Sequence, residues 1–353
     1  MDAVTLQEAG GWSGVLGTLT GGGDLSGETA AAAMAEILDG NATAAQIAGF
    51  IIALRMKGET VDELTGLVSA MVGRSVRVQL EQPDGVIDIV GTGGDRSHSI
   101  NVSTLAALTV TGAGGRVCKH GNRAASSSCG TADLLEALDV AFDLGPEGVA
   151  QCVDTVDFGF CFAARFHSAM RHAGPARKEL GVPTVFNFLG PLANPARVRR
   201  QVTGVADPDM ADRMIQVLKA NGAERALVVY GHDGLDELTI TTTSTVHELR
   251  DGEIRTYDID PTSFGIPVGS LDDLRGGDAS VNARISRQIL GGEPGPRADI
   301  VVLNAAAGLV AAGIVDTIAD GVEAARASLA EGRAAEALER VVVASQAARA
   351  AGL

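Results

Sequence analysis

The groups able to do chemistry in this 353-residue chain concentrate in a few short stretches. The first is Gly91-Thr92-Gly93-Gly94-Asp95, directly behind the apolar run 86–90, which holds Asp88. Glycines at a strand end let successive backbone N–H groups converge on one point. A helix N-terminus beyond them adds positive potential, and the combination binds phosphate. No GxxxxGK[ST] is present, and Arg96 stands where GxGxxG needs its third glycine. Neither common nucleotide fingerprint therefore applies, and a plain tight turn is the alternative. Asn101-Val102-Ser103-Thr104 opens the next predicted helix. Asn101 taken alone reads as an N-cap, yet these polar groups beside a glycine loop also suit phosphate oxygens or a metal-bound water.

The densest cluster is Lys119-His120-Gly121-Asn122-Arg123 followed by Ala124-Ala125-Ser126-Ser127-Ser128. It leaves a predicted strand, where ligands collect at the carboxyl ends of open α/β sheets. Lys119 and Arg123 would supply cations, and the serines and loop N–H groups neutral donors. Asp236-Glu237 admits two readings: a solvated strand edge, or paired oxygens of the kind Mg²⁺ takes together with waters and substrate oxygens. His167, Arg171, His172, Arg177 and Lys178 line one helical stretch. Arg177 falls on a different face from Arg171 at 3.6 residues per turn. A guanidinium there suits a carboxylate ligand, although a surface ion pair is the simpler local account.

The formal charge of −16 and pI ≈ 4.8 give a field that repels nucleic acid and anionic membrane. Aromatics at 3% leave little for stacking on single-stranded bases. An anionic substrate would need local cations, a metal ion or backbone N–H groups. Cys118, Cys129, Cys152 and Cys161 form no CxxC and no zinc spacing, as expected of reduced thiols in a cytoplasmic protein. No basic residue precedes Arg55, so a signal peptide would lack its charged start. The apolar stretch 300–315 falls short of the roughly 20 residues that span a bilayer.

The elements that must position these groups follow from pattern. Ser26, the Thr43/Gln46 pair and the Thr60/Glu63 pair each start a short amphipathic helix, the last two as capping boxes. Such helices bury little alone and must pack on later helices or a second subunit. From Pro83 the texture changes: strand 86–90, helix 101–111, strand 116–118 and helix 131–140 form a βαβ unit, the mark of a parallel sheet. Helices are expected at 146–156, 168–180 and 209–221, with strands at 201–205 and 226–230. Residues 238–241, 246–250 and 253–258 alternate like antiparallel strands, and an Ala-rich helical tail begins at Ala298.

Taken in order, Asp88-Ile89-Val90-Gly91-Thr92-Gly93-Gly94-Asp95, Asn101–Thr104, Lys119–Ser127, Arg177, the run from Pro183 to Pro195 (PTVFNFLGPLANP) and Asp236-Glu237 closely resemble the anthranilate phosphoribosyltransferases of tryptophan biosynthesis. The likeness covers nearly the whole chain from about Ser13. It implies transfer of phosphoribose from phosphoribosyl pyrophosphate to the amine of anthranilate, with release of pyrophosphate and use of Mg²⁺. It also implies a small all-helical domain, residues 1–82 completed by helices near 168–191. A large α/β domain with a mostly parallel central sheet, of the nucleoside phosphorylase type, would take 83–167 and 192–353, and a homodimer would form through the helical part.

The resemblance places Gly91, Gly94, Asp95, Ser99, Asn101, Val102, Ser103 and Thr104 on phosphoribosyl pyrophosphate. Lys119, His120, Gly121, Asn122, Arg123, Ala124, Ala125, Ser126 and Ser127 continue that site, with Thr131 beyond. Gly91, Asn122 and Arg177 match anthranilate contacts, and Ser103, Asp236 and Glu237 match Mg²⁺ ligands. Lys119, Asn122 and Arg177 are thereby expected to carry catalysis, and His120 is a candidate proton acceptor. Thr131 replaces the family's usual serine, Asp139 a usual glycine and Ser168 a common proline. A pyrimidine nucleoside phosphorylase of the same fold is the nearest competing reading, which Lys119-His120-Gly121-Asn122 argues against. A non-catalytic nucleic-acid-binding relative and a dimeric scaffold stand further off.

Overall fold

The computed structural model describes residues 4–124 and 128–353. Four helices come first: α1 (Gly11–Thr20), α2 (Gly27–Leu38), α3 (Ala44–Lys57) and α4 (Val61–Gly73). Their starts are where the side chains demand. Ser26 accepts from the Thr29 N–H, and Thr43 with Gln46 and Thr60 with Glu63 form reciprocal boxes.

The chain continues as β1 (Val86–Gly91), α5 (Val102–Gly112), β2 (Arg116–Gly121), α6 (Thr131–Ala137), α7 (Pro146–Val156), β3 (Phe158–Phe162) and α8 (Ala163–Phe166). Then follow α9 (Gly174–Leu180), α10 (Phe186–Leu189), β4 (Arg200–Gly204), α11 (Pro208–Ala220), β5 (Arg225–Gly231), β6 (Ser244–Arg250) and β7 (Glu253–Ile259). α12 (Ala279–Leu290), α13 (Pro296–Ala312), α14 (Ile318–Ala330) and α15 (Arg333–Ala350) complete it. The 7-stranded sheet runs β3-β2-β1-β4-β5-β6-β7. It is parallel from β3 to β5 and antiparallel through β6 and β7. Helix crossovers bury both faces of the parallel part, which is why its strands read as apolar runs.

One core lies between the sheet and α5, α12, α13 and α14, with α13 buried almost end to end. A second joins the first four helices to later chain. Met34, Ile37, Phe50, Leu54, Leu67 and Met71 share it with Ala173, Ala176, Phe186 and Leu189, and with Met214 and Ile215 of α11. The early helices thus obtain from α9, α10 and α11 the partners that they lack among themselves.

Several sequence expectations are corrected. Residues 238–241 form no strand, because side-chain acceptors take their backbone donors: Leu238 N–H goes to Asn304 Oδ1 at 2.9 Å and Thr239 N–H to Ser244 Oγ at 2.9 Å. The stretch 168–180 is a 3₁₀ turn, Ser168–His172, and then α9, started by Pro175 in its first turn. β3 and α12 went unread. β3 follows α7 with no Gly or Pro between them, and the helix is stopped by Asp157 in a left-handed conformation (φ 63°). Asp139 also has a positive φ of 67°, the backbone region that glycine enters most cheaply.

Glu63 is completely buried and does more than cap α4. Its Oε1 accepts from Leu25 N–H at 2.9 Å; its Oε2 accepts from Thr60 N–H at 2.8 Å and Lys57 Nζ at 2.9 Å. Glu63→Ala leaves the Leu25 and Thr60 N–H groups without their acceptor and takes one of two carboxylates from Lys57, which keeps Asp24 at 2.7 Å; it should cost about 2–4 kcal/mol in chemical denaturation. Arg74→Ala removes only the half-exposed pair with Asp39 and should cost below about 1 kcal/mol. Equal losses would show that Glu63 is not a structural junction.

Candidate active site

The carboxyl ends of β1 and β4 lie side by side, Gly91 opposite Gly204, and the turn carrying Asp236 sits directly on them. A methyl group at Gly91 would stand 2.3 Å from Asp236 Oδ2, and one at Gly204 would stand 1.6 Å from the Asp236 carbonyl oxygen. Only glycine lets the acidic turn approach both strands. Gly93 N–H donates to Asp236 Oδ2 at 2.7 Å and Thr92 N–H to Gly204 O at 2.9 Å, so the loop leaves β1 already fastened. Gly93 and Gly94 take positive φ, 69° and 88°. Asp95 accepts from Ser97 N–H and Oγ at 3.2 and 2.8 Å, and Ser99 bridges Arg275.

Behind this loop α5 points its N-terminus at the strand ends. Asn101 occupies the cap position without capping, a correction to its simple reading. Its Nδ2 donates to Cys129 O at 3.1 Å, and its Oδ1 accepts from Asn282 Nδ2 at 3.0 Å. Val102 and Thr104 are buried, and Thr104 Oγ1 meets Thr131 Oγ1 at 3.4 Å.

Lys119 lies inside β2 and is 1% exposed. Its Nζ donates to the Ile89 carbonyl and to Ser103 Oγ at 3.2 Å. Burial lowers its pKa, while Asp88, Glu237 and Asp236 pull the other way. The surrounding carboxylates outnumber it. Loss of water raises Asp236 to about 7, with Asp95 adding repulsion and the Gly93 N–H partly offsetting it. Glu237 is raised well above the ordinary range by desolvation and then by Asp236, against Lys119. Burial raises Asp88 to about 6, while Lys119, Asn194 and the His120 N–H hold it down. Among the described residues, no three His, Cys, Asp or Glu side chains form a metal cage by themselves. Asp236, Glu237 and Ser103 offer two carboxylates and a hydroxyl.

His120 is also buried in β2. Its Nδ1 lies 3.0 Å from Gly190 O, and its ring lies 5.0 Å from that of His167, tilted by 54°. Burial drives the two imidazoles to about 3 and about 4, so both are neutral, and neither Nε2 has a partner among the described residues. Gly121 ends the strand, and Asn122 Oδ1 accepts from Arg123 N–H at 2.8 Å. The Arg123 guanidinium is engaged by Asp133 at 2.6 Å and Glu136 at 2.9 Å, so most of the cation expected of it is already matched. Asp133 also gathers the Ala124 and Gly130 N–H groups, each at 2.9 Å. Ala125, Ser126 and Ser127 lie outside the described residues. Arg177, on α9, has no ion pair among the described residues, against the simpler expectation for it. Its guanidinium lies 5.1 Å over the Phe186 ring, and burial lowers its pKa.

The sequence reading missed Gly204 and gave no role to Asn194, which donates to Asp88 Oδ2 and Cys118 O, both at 2.8 Å. An aspartate inside an apolar strand run was the available signal for that buried network.

The chain matches two family models in succession: the glycosyl transferase family helical bundle domain over residues 14–75 and the glycosyl transferase family a/b domain over residues 83–335. The anthranilate phosphoribosyltransferase of Rhodococcus jostii (strain RHA1) is 54% identical over 335 residues, 93% of this chain and 92% of that relative. The chain belongs to the anthranilate phosphoribosyltransferase family. A further anthranilate phosphoribosyltransferase, from Salinispora arenicola (strain CNS-205), is 50% identical over 96% of this chain and 98% of its own. Among solved structures, the enzyme from Thermus thermophilus superposes with a TM-score of 0.89 at 41% identity, covering 94% of this chain and 99% of that one. The Saccharomyces cerevisiae anthranilate phosphoribosyltransferase in complex with PRPP and Mg gives 0.85 at 27%, covering 95% and 98%.

The close approach of the acidic turn is testable. Gly204→Ala should cost about 3 kcal/mol or more. Gly93→Ala meets no atom within 4 Å and should cost only the left-handed backbone term, about 1 kcal/mol. Equal losses in chemical denaturation would remove the steric account.

Proposed function

We propose that this chain transfers the phosphoribosyl group from phosphoribosyl pyrophosphate to the amine of anthranilate, giving N-(5-phosphoribosyl)anthranilate and pyrophosphate in tryptophan biosynthesis. The observation that carries this reading is the buried Lys119 ammonium behind a glycine loop fastened to Asp236. Cation, glycine loop and carboxylates meet at one set of strand ends, in a chain of the transferase family.

Two raised carboxylates mark a site short of positive charge. Hard oxygen donors of this kind suit Mg²⁺, with substrate oxygens and waters completing its shell. On this reading Asp236, Glu237 and Ser103 hold Mg²⁺, which when bound neutralises pyrophosphate charge.

The rest falls to the chain. Gly91, Gly94 and the α5 N-terminus, with Asp95, Ser99, Asn101 and Thr104 around them, hold phosphates and ribose. Lys119–Ala124 and Thr131 line the other side, and Lys119 stabilises charge on the departing pyrophosphate. Arg177 binds the anthranilate carboxylate, and Asn122 and Gly91 set the amine behind the anomeric carbon. A neutral aryl amine is a weak nucleophile, so positioning is the main task. Displacement forms the N–C1′ bond as the C1′–O bond to pyrophosphate breaks, passes through an oxocarbenium-like state and inverts the anomeric centre, and the amine proton leaves to the departing pyrophosphate or to water. His120, at about 3, is a poor base at neutral pH and acts as a neutral wall.

Arg177 belongs to the helical core and Lys119 to the sheet. Bringing them together therefore excludes water from the activated ribose. The same reading carries a homodimer through the first helices, where α3 leaves Met56 84% exposed, and a cytoplasmic setting. No described helix is long and apolar enough to cross a membrane.

Anthranilate fluorescence should fall on adding phosphoribosyl pyrophosphate with Mg²⁺, and thymidine should not be phosphorolysed. The reverse pattern overturns the assignment. Arg177→Ala should raise KM for anthranilate by about tenfold or more while leaving that for the donor nearly unchanged. Equal effects on both would make Arg177 structural.

A further inference from the structure

We infer that a second, separate site on this chain binds a small amino-carboxylate with an apolar body. A cavity of about 360 Å³ lies between α4, α11 and the segment leading into β4, within the size range of small-molecule sites. It opens beside the amino-terminal start of β4, whereas the glycine loop and Asp236 sit at the strands' carboxyl ends. Val72, Leu192 and Leu218 give it apolar walls; Arg197, Arg199 and Gln201 give it polar groups.

Two of these polar groups, Arg197 and Gln201, each fit one part of such a ligand. Arg197 makes no side-chain hydrogen bond or ion pair among the described residues, and it sits in a left-handed conformation, φ 52°. Glu224 already takes Arg199 at 2.9 Å and Arg200 at 3.3 Å, which leaves the Arg197 charge uncompensated. A free guanidinium at the rim of a cavity with apolar walls on one side is a receptor for carboxylate.

Gln201 is only 4% exposed, and its Nε2 is spent on Pro191 O at 2.7 Å and Thr203 Oγ1 at 2.5 Å. Its Oε1 accepts nothing among the described residues. That oxygen is not sealed from solvent, so a ligand N–H would take the place of water on it. Carboxylate, N–H and apolar body together describe apolar α-amino acids and aminoaryl carboxylates alike.

The test is calorimetric titration of the full chain with L-phenylalanine, L-leucine and anthranilate, with phenethylamine and aniline as controls that lack the carboxylate. Saturable binding of one or more of the acids is expected, without binding of the amines. Arg197→Gly should weaken it by about tenfold, the scale of one charged contact, while the melting temperature holds or rises because glycine tolerates the positive φ. Val72→Trp should block it by filling the cavity. Binding of phenylalanine or leucine alone would identify an α-amino acid site, and binding of anthranilate alone an aminoaryl site. Anthranilate bound at the strand ends would not respond to Arg197→Gly. No saturable binding of any acid up to about 10 mM, or binding unchanged in both variants, overturns the inference.

Discussion

The structure turns on one buried ammonium set among more carboxylates than it can neutralise. Lys119 reaches Ser103 and the Ile89 carbonyl from inside β2, with Asp88, Asp236 and Glu237 around it. A lone lysine in such a place would lose its proton, and the carboxylates alone would take protons up. Held together they keep an incomplete balance, with Asp236 at about 7 and Glu237 raised further. The cluster persists because Gly91 and Gly204 allow the acidic turn to rest on the strand ends, where Gly93 fastens it. On the proposed function this unmet need for positive charge fits a cation arriving with an anionic donor.

The helical part is tied to this arrangement through shared packing. Helices α1 to α4 close their core only with α9, α10 and α11. Arg177 and Phe186 therefore stand on the helical side, while Lys119 and the glycine loop stand on the sheet side. Asn194, on the returning segment, ties the two through Asp88, whose other oxygen accepts from the His120 N–H at 3.1 Å.

Much of this was legible in the residues. The capping boxes at Thr43 and Thr60 gave the starts of their helices to within a residue, because a cap is a local hydrogen-bond contract. The glycine loop announced itself by following an apolar run. What stayed hidden depends on distant partners. Residues 238–241 alternate like a strand, but Asn304 and Ser244 claim their N–H groups. Asn101 looked like a cap until Cys129 and Asn282 engaged its amide. Arg123 looked like a free cation because Asp133 and Glu136 lie a helix turn or more along the chain. Gly204 carries no motif, and only the packed turn above it shows why no side chain fits there.

The most direct test of the charge balance is the affinity of phosphoribosyl pyrophosphate, measured calorimetrically with Mg²⁺ and again with a chelator. The account predicts tight binding only with the metal, and loss of that dependence when Asp236→Asn and Glu237→Gln remove the excess negative charge. Equal affinity with and without Mg²⁺ in the unaltered protein would contradict it.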